Sequence, residues 1–457
     1  MPGMESLPDL PDPSRVAELR GRVHDGFPAL RTDLEALVRI PSVSNPEFDQ
    51  AEVAASAAAV ARLLAGAGLD VQTLQVPGGR PAVVGRRPAP PGAPTVLLYA
   101  HHDVQPAAGG WRTDPFDPVE VDGRLYGRGA ADDKAGVVVH VGALRALGAD
   151  RRVGVTVFVE GEEEIGSPTF GAFLAAHRDL LAADVIVVAD SVNWQVGVPA
   201  LTTSLRGLVD LVVEVAVAEH PVHSGMFGGP VLDAVTLLAR LVATLHDDRG
   251  DVAVPGLRNA PDPVVDYDPA QLRTDAALLD GVPTVGSGPL AAHLWTRPAI
   301  GVIGLDAPAV ATSSNVIVPV ASAKLSLRIP PGQDPVEARD ALVAHLHAHA
   351  PFGARVRVSD GETGRPFAAS ADSTAMRAAR AAFAAAWGRA PVDVGVGGSI
   401  PFVADLAETF PDAAIIVTGV EDPSSAAHGP DESVHLGDLA RAVLAETLLL
   451  DALGLRP

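Results

Sequence analysis

Imidazoles and carboxylates gather at a few places in this 457-residue chain. The run TVLLYAHHDVQP ends in His101, His102 and Asp103. GVTVFVEGEEEIGS runs into Glu160, Glu162, Glu163 and Glu164, and DVIVVAD closes on Asp190. YGRGAADDK sets Asp132 and Asp133 just before a helix-like stretch, and EDPSSAAHGPDES carries His428. Carboxylates crowded into one crevice repel each other unless cations neutralise them. A dinuclear metal site is the economical chemistry for such a set. Cysteine is absent, so any metal must be held by His, Asp and Glu. Two divalent ions, zinc first and manganese or cobalt as alternatives, suit those ligands.

The elements that would position these groups are legible as short apolar runs. Thr95–Ala100, Gly154–Val159, Asp184–Ala189 and Ala413–Thr418 are β-branched and too short for helices. Helix-like segments such as Ala135–Leu147 and Ser373–Trp387 lie near them. That alternation predicts an α/β domain whose mostly parallel central sheet is flanked by helices. Ligands of such sheets bind outside the carboxyl ends of the strands, where the acids and imidazoles fall. The middle of the chain differs. Leu205–Ala218, Val231–Leu245, a run near Ile300, Ala321–Ile329, Pro335–Ala350 and Ala354–Val358 read in order as β-α-β-β-α-β. This is the split pattern of a ferredoxin-like α+β sandwich. A chain this long exceeds one ordinary core. The expected division is therefore a catalytic domain in two parts, residues 1–202 and 363–457, interrupted by an insert at 203–362.

Plainer roles compete for several residues. Alternation along a strand turns His102 away from His101 and Asp103, so His102 is expected to be structural. Asp103 is expected to orient His101, because metal-bound imidazoles donate their second nitrogen to such groups. Three consecutive acids such as Glu162–Glu164 are commonly a solvated face; their place after an apolar strand favours a site. His220 and the histidines of HLHAHA read as surface residues. Ser399 in GGSIP lacks the setting of a nucleophile. The net charge of −22 argues against nucleic acid or an anionic membrane as partner. The opening MPGMESLPDLPDPSR has no basic and apolar signal regions, and no run of about 18 apolar residues predicts a membrane span. A cytoplasmic protein is expected.

The ordered set HHDVQP, W…PF…DGRLYGRGAADDK, EGEEEIGS, HSGMFGG, GGSIP and AHGPDE resembles the M20 family of co-catalytic metallopeptidases. The HxDVQP and EGxEExGS forms are most similar to its dipeptidase branch, which includes carnosinases and cytosolic nonspecific dipeptidases. The resemblance implies that His101 binds one metal, His428 the other, and Asp132 both. It implies that Glu164 and Asp190 complete the two shells, that Glu163 is the general base, and that a cis peptide follows Asp132. In the insert it implies substrate-binding roles for His223, Asn315 and Arg328, with Gly398 and Ser399 meeting the substrate carboxylate. His223 would act across a homodimer formed through the insert, which would also serve as a lid. The implied reaction is hydrolysis of dipeptides or short peptides with a free C-terminus. N-acyl-amino-acid deacylases and glutamate carboxypeptidases share the ligands and are the alternatives. One departure bears on specificity: carnosinase-type dipeptidases carry Arg-Glu before GGSIP, and this chain has Gly395-Val396.

Overall fold

In the computed structural model, residues 12–398 and 401–455 are described. They fall into two compact units. One comprises residues 12–203, 369–394 and 405–455; the other comprises 204–368 together with 395–398 and 401–404.

The first unit is built on one large sheet. Seven of its strands run in the order Asp70–Leu74, Ala82–Arg87, Gly154–Glu160, Thr95–His101, Val185–Val188, Ala414–Val417, Ala200–Leu205. The four strands read from the sequence are the inner ones, and they are mutually parallel. Their neighbours on both sides pair antiparallel, so the sheet is mixed. Strands covered on both faces need side chains that are apolar throughout, which is why TVLLYAH and GVTVFVE are almost uninterrupted and almost wholly buried. Helix Lys134–Leu147 is buried along nearly its full length, and Pro13–Val38 and Leu436–Leu453 pack on it. Lys134 is itself buried. Its Nζ donates to Leu37 O at 2.9 Å and Ile40 O at 2.7 Å, satisfying carbonyls at the end of the first helix. Burial pushes its ammonium down to about 7.

The second unit has a four-stranded antiparallel sheet in the order Ala299–Asp306, Val320–Ile329, Gly207–Ala216, Arg355–Gly364. Helices Ala234–Ala243 and Pro335–Ala348 cover one face, where Val209, Leu211, Leu325 and Leu327 join Leu237, Leu241 and Leu342 in one core. This is the order of a ferredoxin-like sandwich. Two short helices, Pro269–Asp275 and Leu290–Trp295, precede the strand Ala299–Asp306. One histidine departs from the reading of HLHAHA as surface. His345 is buried, its Nε2 2.9 Å from Thr244 Oγ1, because it falls on the packed side of its helix. Among the described residues no helix is long and apolar enough to cross a membrane.

Candidate metal centre

The C-terminal ends of the parallel strands set the geometry. His101 is the last residue of its strand. Its Nδ1 lies 3.1 Å from Asp103 O, which can only accept, so Nδ1 carries a proton and Nε2 is the nitrogen that a metal would take. That Nε2 faces Asp132 Oδ1 at 3.0 Å. The Asp132–Asp133 peptide bond is cis. Asp133 caps helix Lys134–Leu147 through Gly136 N at 3.1 Å, and its other oxygen accepts His101 N at 3.2 Å. The second oxygen of Asp132 lies 3.0 Å from His428 Nε2, which in turn is 3.2 Å from Glu164 Oε2. Two trios result, His101–Asp132–Asp190 and Asp132–Glu164–His428, each with its ligand atoms within 4.8 Å of one another. Asp132 belongs to both.

Neighbouring groups hold these residues still. The Asp103 carboxylate accepts Glu163 N at 3.2 Å and Glu164 N at 3.0 Å, and stands 3.5 Å from His101 Nδ1. It thus fixes the backbone of the acidic turn more closely than it touches the imidazole. Gln105 completes the grip: its N–H and side-chain amide both donate to the Glu164 carboxylate, at 3.0 and 2.8 Å. Glu162 points away and binds Arg80 N, Thr169 N and Thr169 Oγ1. His102 is buried and donates from Nε2 to Pro81 O at 2.9 Å; burial pushes it down to about 4, so it is neutral. Glu432 secures the turn bearing Asp132. Its carboxylate accepts the N–H groups of Gly129, Ala131 and Asp132 at 2.9–3.0 Å. Arg128, under the ring of Trp111, donates to Glu432 at 2.7 Å and to Gly429 O at 3.0 Å, beside His428.

The charges test whether dications suit the site. Burial, and then repulsion by Asp132 and Glu164, pushes Asp190 up to about 7 against the pull of His101. Burial also pushes Glu163 up to about 9, with Asp190 and Glu164 adding to it and His101 opposing. Hydrogen bonds to Asp132 and Glu164 raise His428 to about 11. Asp132 is lowered, since its contacts with both imidazoles outweigh burial. Acids this crowded, with imidazole nitrogens aimed among them, are the donor set that a pair of divalent ions fits.

The other expected site residues lie in the second unit. His223 and Val316 are partners on the two-residue ladder Val222–His223 with Val316–Ile317. Ser224 N donates to Asn315 O at 3.0 Å, so His223 and Asn315 are neighbours and both are exposed. Arg328 is half-buried on strand Val320–Ile329. Gly398 precedes the last of the expected positions, Ser399, which lies outside the described residues. Three contributors had escaped the sequence reading. Gln105 stands inside the quoted DVQP, and Glu432 inside HGPDES. Glu421 follows the strand Ala414–Val417, as the other acids follow theirs. Its backbone oxygen accepts Asn193 N at 2.7 Å, and burial together with Asp132 and Asp190 holds its carboxyl well above the ordinary range.

Comparison with known proteins identifies the family. Residues 97–452 match the model of "Peptidase family M20/M25/M40". A cysteinylglycine-S-conjugate dipeptidase of Corynebacterium striatum is 38% identical over 84% of this chain and 86% of its own. The beta-Ala-His dipeptidase of Rattus norvegicus is 29% identical over 80% of each. The crystal structure of human carnosine dipeptidase 1 superposes with a TM-score of 0.75 at 25% identity, covering 97% of this chain and all of that one. The chain belongs to peptidase family M20/M25/M40, a family of metal-dependent peptidases.

Proposed function

We propose that this metallohydrolase cleaves the peptide bond of dipeptides, or of short peptides with a free C-terminus, with two divalent ions, zinc first among the candidates. The observation that carries the reading is the pair of ligand trios sharing Asp132, with Glu163 directly before Glu164. His101, Asp132 and Asp190 would hold one ion, and His428, Asp132 and Glu164 the other. Bound there, divalent ions supply Lewis acidity, polarising a carbonyl and making water more acidic. Glu163 is the general base: its carboxylate takes the proton of the attacking water and returns it to the leaving amine. Burial makes it more basic than an ordinary carboxylate, and cations held beside it would draw its value back toward neutrality. Asp103 and Gln105 keep Glu163 and Glu164 in register.

In the second unit Gly225 N donates to His223 Nδ1 at 3.0 Å, which leaves the proton of the neutral imidazole on Nε2. An exposed N–H of this kind suits polarisation of the scissile carbonyl, an effect worth ~3–4 kcal/mol in oxyanion sites. Arg328 binds the substrate carboxylate by a bidentate pair, with Asn315, Gly398 and Ser399 as further substrate contacts. The insert acts as lid and dimer contact, so that His223 serves a partner subunit. Exposed Val302, Ile303 and Leu305 on edge strand Ala299–Asp306, with exposed Met226 and Phe227, support a self-association surface there. A cytoplasmic location accords with the acidic, cysteine-free composition.

The test is to strip the protein of metal, restore Zn²⁺ or Mn²⁺, and assay dipeptides beside N-acetyl and N-succinyl amino acids. Metal-dependent cleavage of the dipeptides with the acyl compounds intact is expected. Cleavage of the acyl compounds alone would move the protein to the deacylases.

A further inference from the structure

Arg206 stands one residue before strand Gly207–Ala216, whose ladder with Val320–Ile329 pairs Leu208 with Arg328. Side chains alternate along strands, so Leu208 and Arg328 share the face opposite to that on which Val209 and Leu327 enter the core, and Arg206 lies just beyond the end of that ladder. The two arginines are near enough for the charge of Arg328 to act on Arg206. Arg206 is only 7% exposed. Its Nε donates to Gly397 O and its Nη1 to His293 O, each at 3.0 Å. Among the described residues no carboxylate pairs with it and Nη2 has no partner, yet Nη2 is not one of the fully enclosed unpartnered atoms. Burial, and then the charge of Arg328, pushes this guanidinium down to about 10. Arg128, also buried, is by contrast neutralised by Glu432.

The glycines beside it are shaped to this arrangement. A Cβ on Gly397 would stand 2.9 Å from Arg206 Nη2 and 3.0 Å from Leu294 O. A Cβ on Gly395 would meet Trp295 at 2.6 Å and Ser204 Oγ at 2.7 Å, so no side chain, and no cation, can enter this turn from position 395. At Gly398 the corresponding place has nothing within 4 Å among the described residues. A buried cation that pairs with no carboxylate among the described residues, its Nη2 beside Gly397, suits an anion that arrives from outside.

We propose that Arg206 is a second cation for the free carboxylate of the substrate, its Nη2 donating at the Gly397–Gly398 turn alongside Arg328. The inference rests on the reading of Arg328 as a carboxylate-binding residue. A carboxylate offers about four lone-pair sites and takes two guanidinium donors without competition between them. Arg206 thereby selects substrates that end in a free acid.

The experiment compares a dipeptide with the same dipeptide amidated at its C-terminus, on metal-loaded wild type, Arg206→Met, Arg206→Lys and Arg328→Met. If wild type cleaves only acyl amino acids, the pair becomes an acyl amino acid and its amide, which separates this inference from the choice of substrate class. Arg206→Met is expected to reduce the acid-over-amide ratio of kcat/KM by about tenfold to a hundredfold, mainly through the KM of the acid. Arg206→Lys, which keeps the charge and guards against misfolding of the Met variant, is expected to lie between. Equal loss on acid and amide in both Arg206 variants would mean a structural role and overturn the proposal. A ratio altered by Arg328→Met alone would also overturn it while leaving Arg328 in place, and a ratio unmoved by either would remove both. A ratio altered by the Arg206 variants alone would support Arg206 and remove Arg328.

Discussion

The two units hold their expected site residues in opposite ways. In the first, His101 and Asp132 are buried, and three of the proposed ligands are tied by neighbours: Asp133 and Asp103 at His101, Gln105 at Glu164, Glu432 at Asp132. In the second, His223 and Asn315 are exposed and joined by little more than backbone hydrogen bonds. The difference follows from what each set has to do. Several like charges held within a few ångströms need rigid support and a low-dielectric setting to act on a metal. Groups that meet a substrate, and a partner chain if the dimer reading holds, have to stay accessible. His428 crosses the pattern from one side, with its side chain 60% exposed on the loop that Arg128 ties down at Gly429, and Arg328 from the other, half-buried on its strand.

If that contrast is right, substitutions in the two units should fail differently. Glu163→Gln should lower kcat by about 10²–10⁴-fold while both ions stay bound, since general acid–base catalysis carries about that much. Stopped assays with metal analysis of the same sample decide it; substantial retained activity would remove Glu163 from its role. His223→Ala should lower kcat by about 10²-fold with metal content unchanged. Mixing it with an inactive Glu163→Gln chain should restore part of the activity if His223 serves a partner. Glu432→Gln should weaken metal affinity by about 10–100-fold, as changes to groups that support ligands do, and competition with a chelator would measure this directly.

The smallest effect concerns stability. His140 is buried, with Nδ1 at 2.8 and 2.9 Å from the Glu446 oxygens and Nε2 at 3.0 Å from Tyr99 O. Both nitrogens therefore face acceptors and both carry protons. Burial works against the charge, but Glu446 and Tyr99 O overcome it and raise the imidazole above its ordinary value. A raised value in the folded state means that this stabilisation is complete below about 6.5 and is lost as pH climbs through the folded value. His140→Gln should thus cost about 1.5–3 kcal/mol at pH 6, and the gap in Tm from wild type should narrow with rising pH. Melts across pH 5.5–9 would show it; a constant gap would mean that the pair does not titrate.

The parallel strands were legible because burial on both faces leaves them no polar positions, and the acids were legible because they follow those strands directly. Residue types alone left open which acids pair with which imidazole; the family resemblance supplied that pairing. The marginal strand Asp70–Leu74 was hidden by its exposed, mixed side chains. Helix Pro13–Val38 was hidden by Gly21, Gly26 and Pro28 within it. Glu432 could not have been found by local pattern, since its partners at 128–132 lie some 300 residues away and are bound chiefly through their backbone. Arg206 was missed for a related reason: its anchors are carbonyls of Gly397 and His293, which no residue type announces.

The central claim is that Asp132 joins two metal sites into one catalytic centre. The direct measurement is to add Zn²⁺ stepwise to metal-free protein, counting ions bound per chain while following dipeptide hydrolysis, in wild type and Asp132→Asn. Activity that reaches its maximum only at two ions per chain, with the variant inactive and unable to fill both sites, is the predicted result. Full activity at one ion, or two tightly bound ions and undiminished turnover in Asp132→Asn, would contradict it.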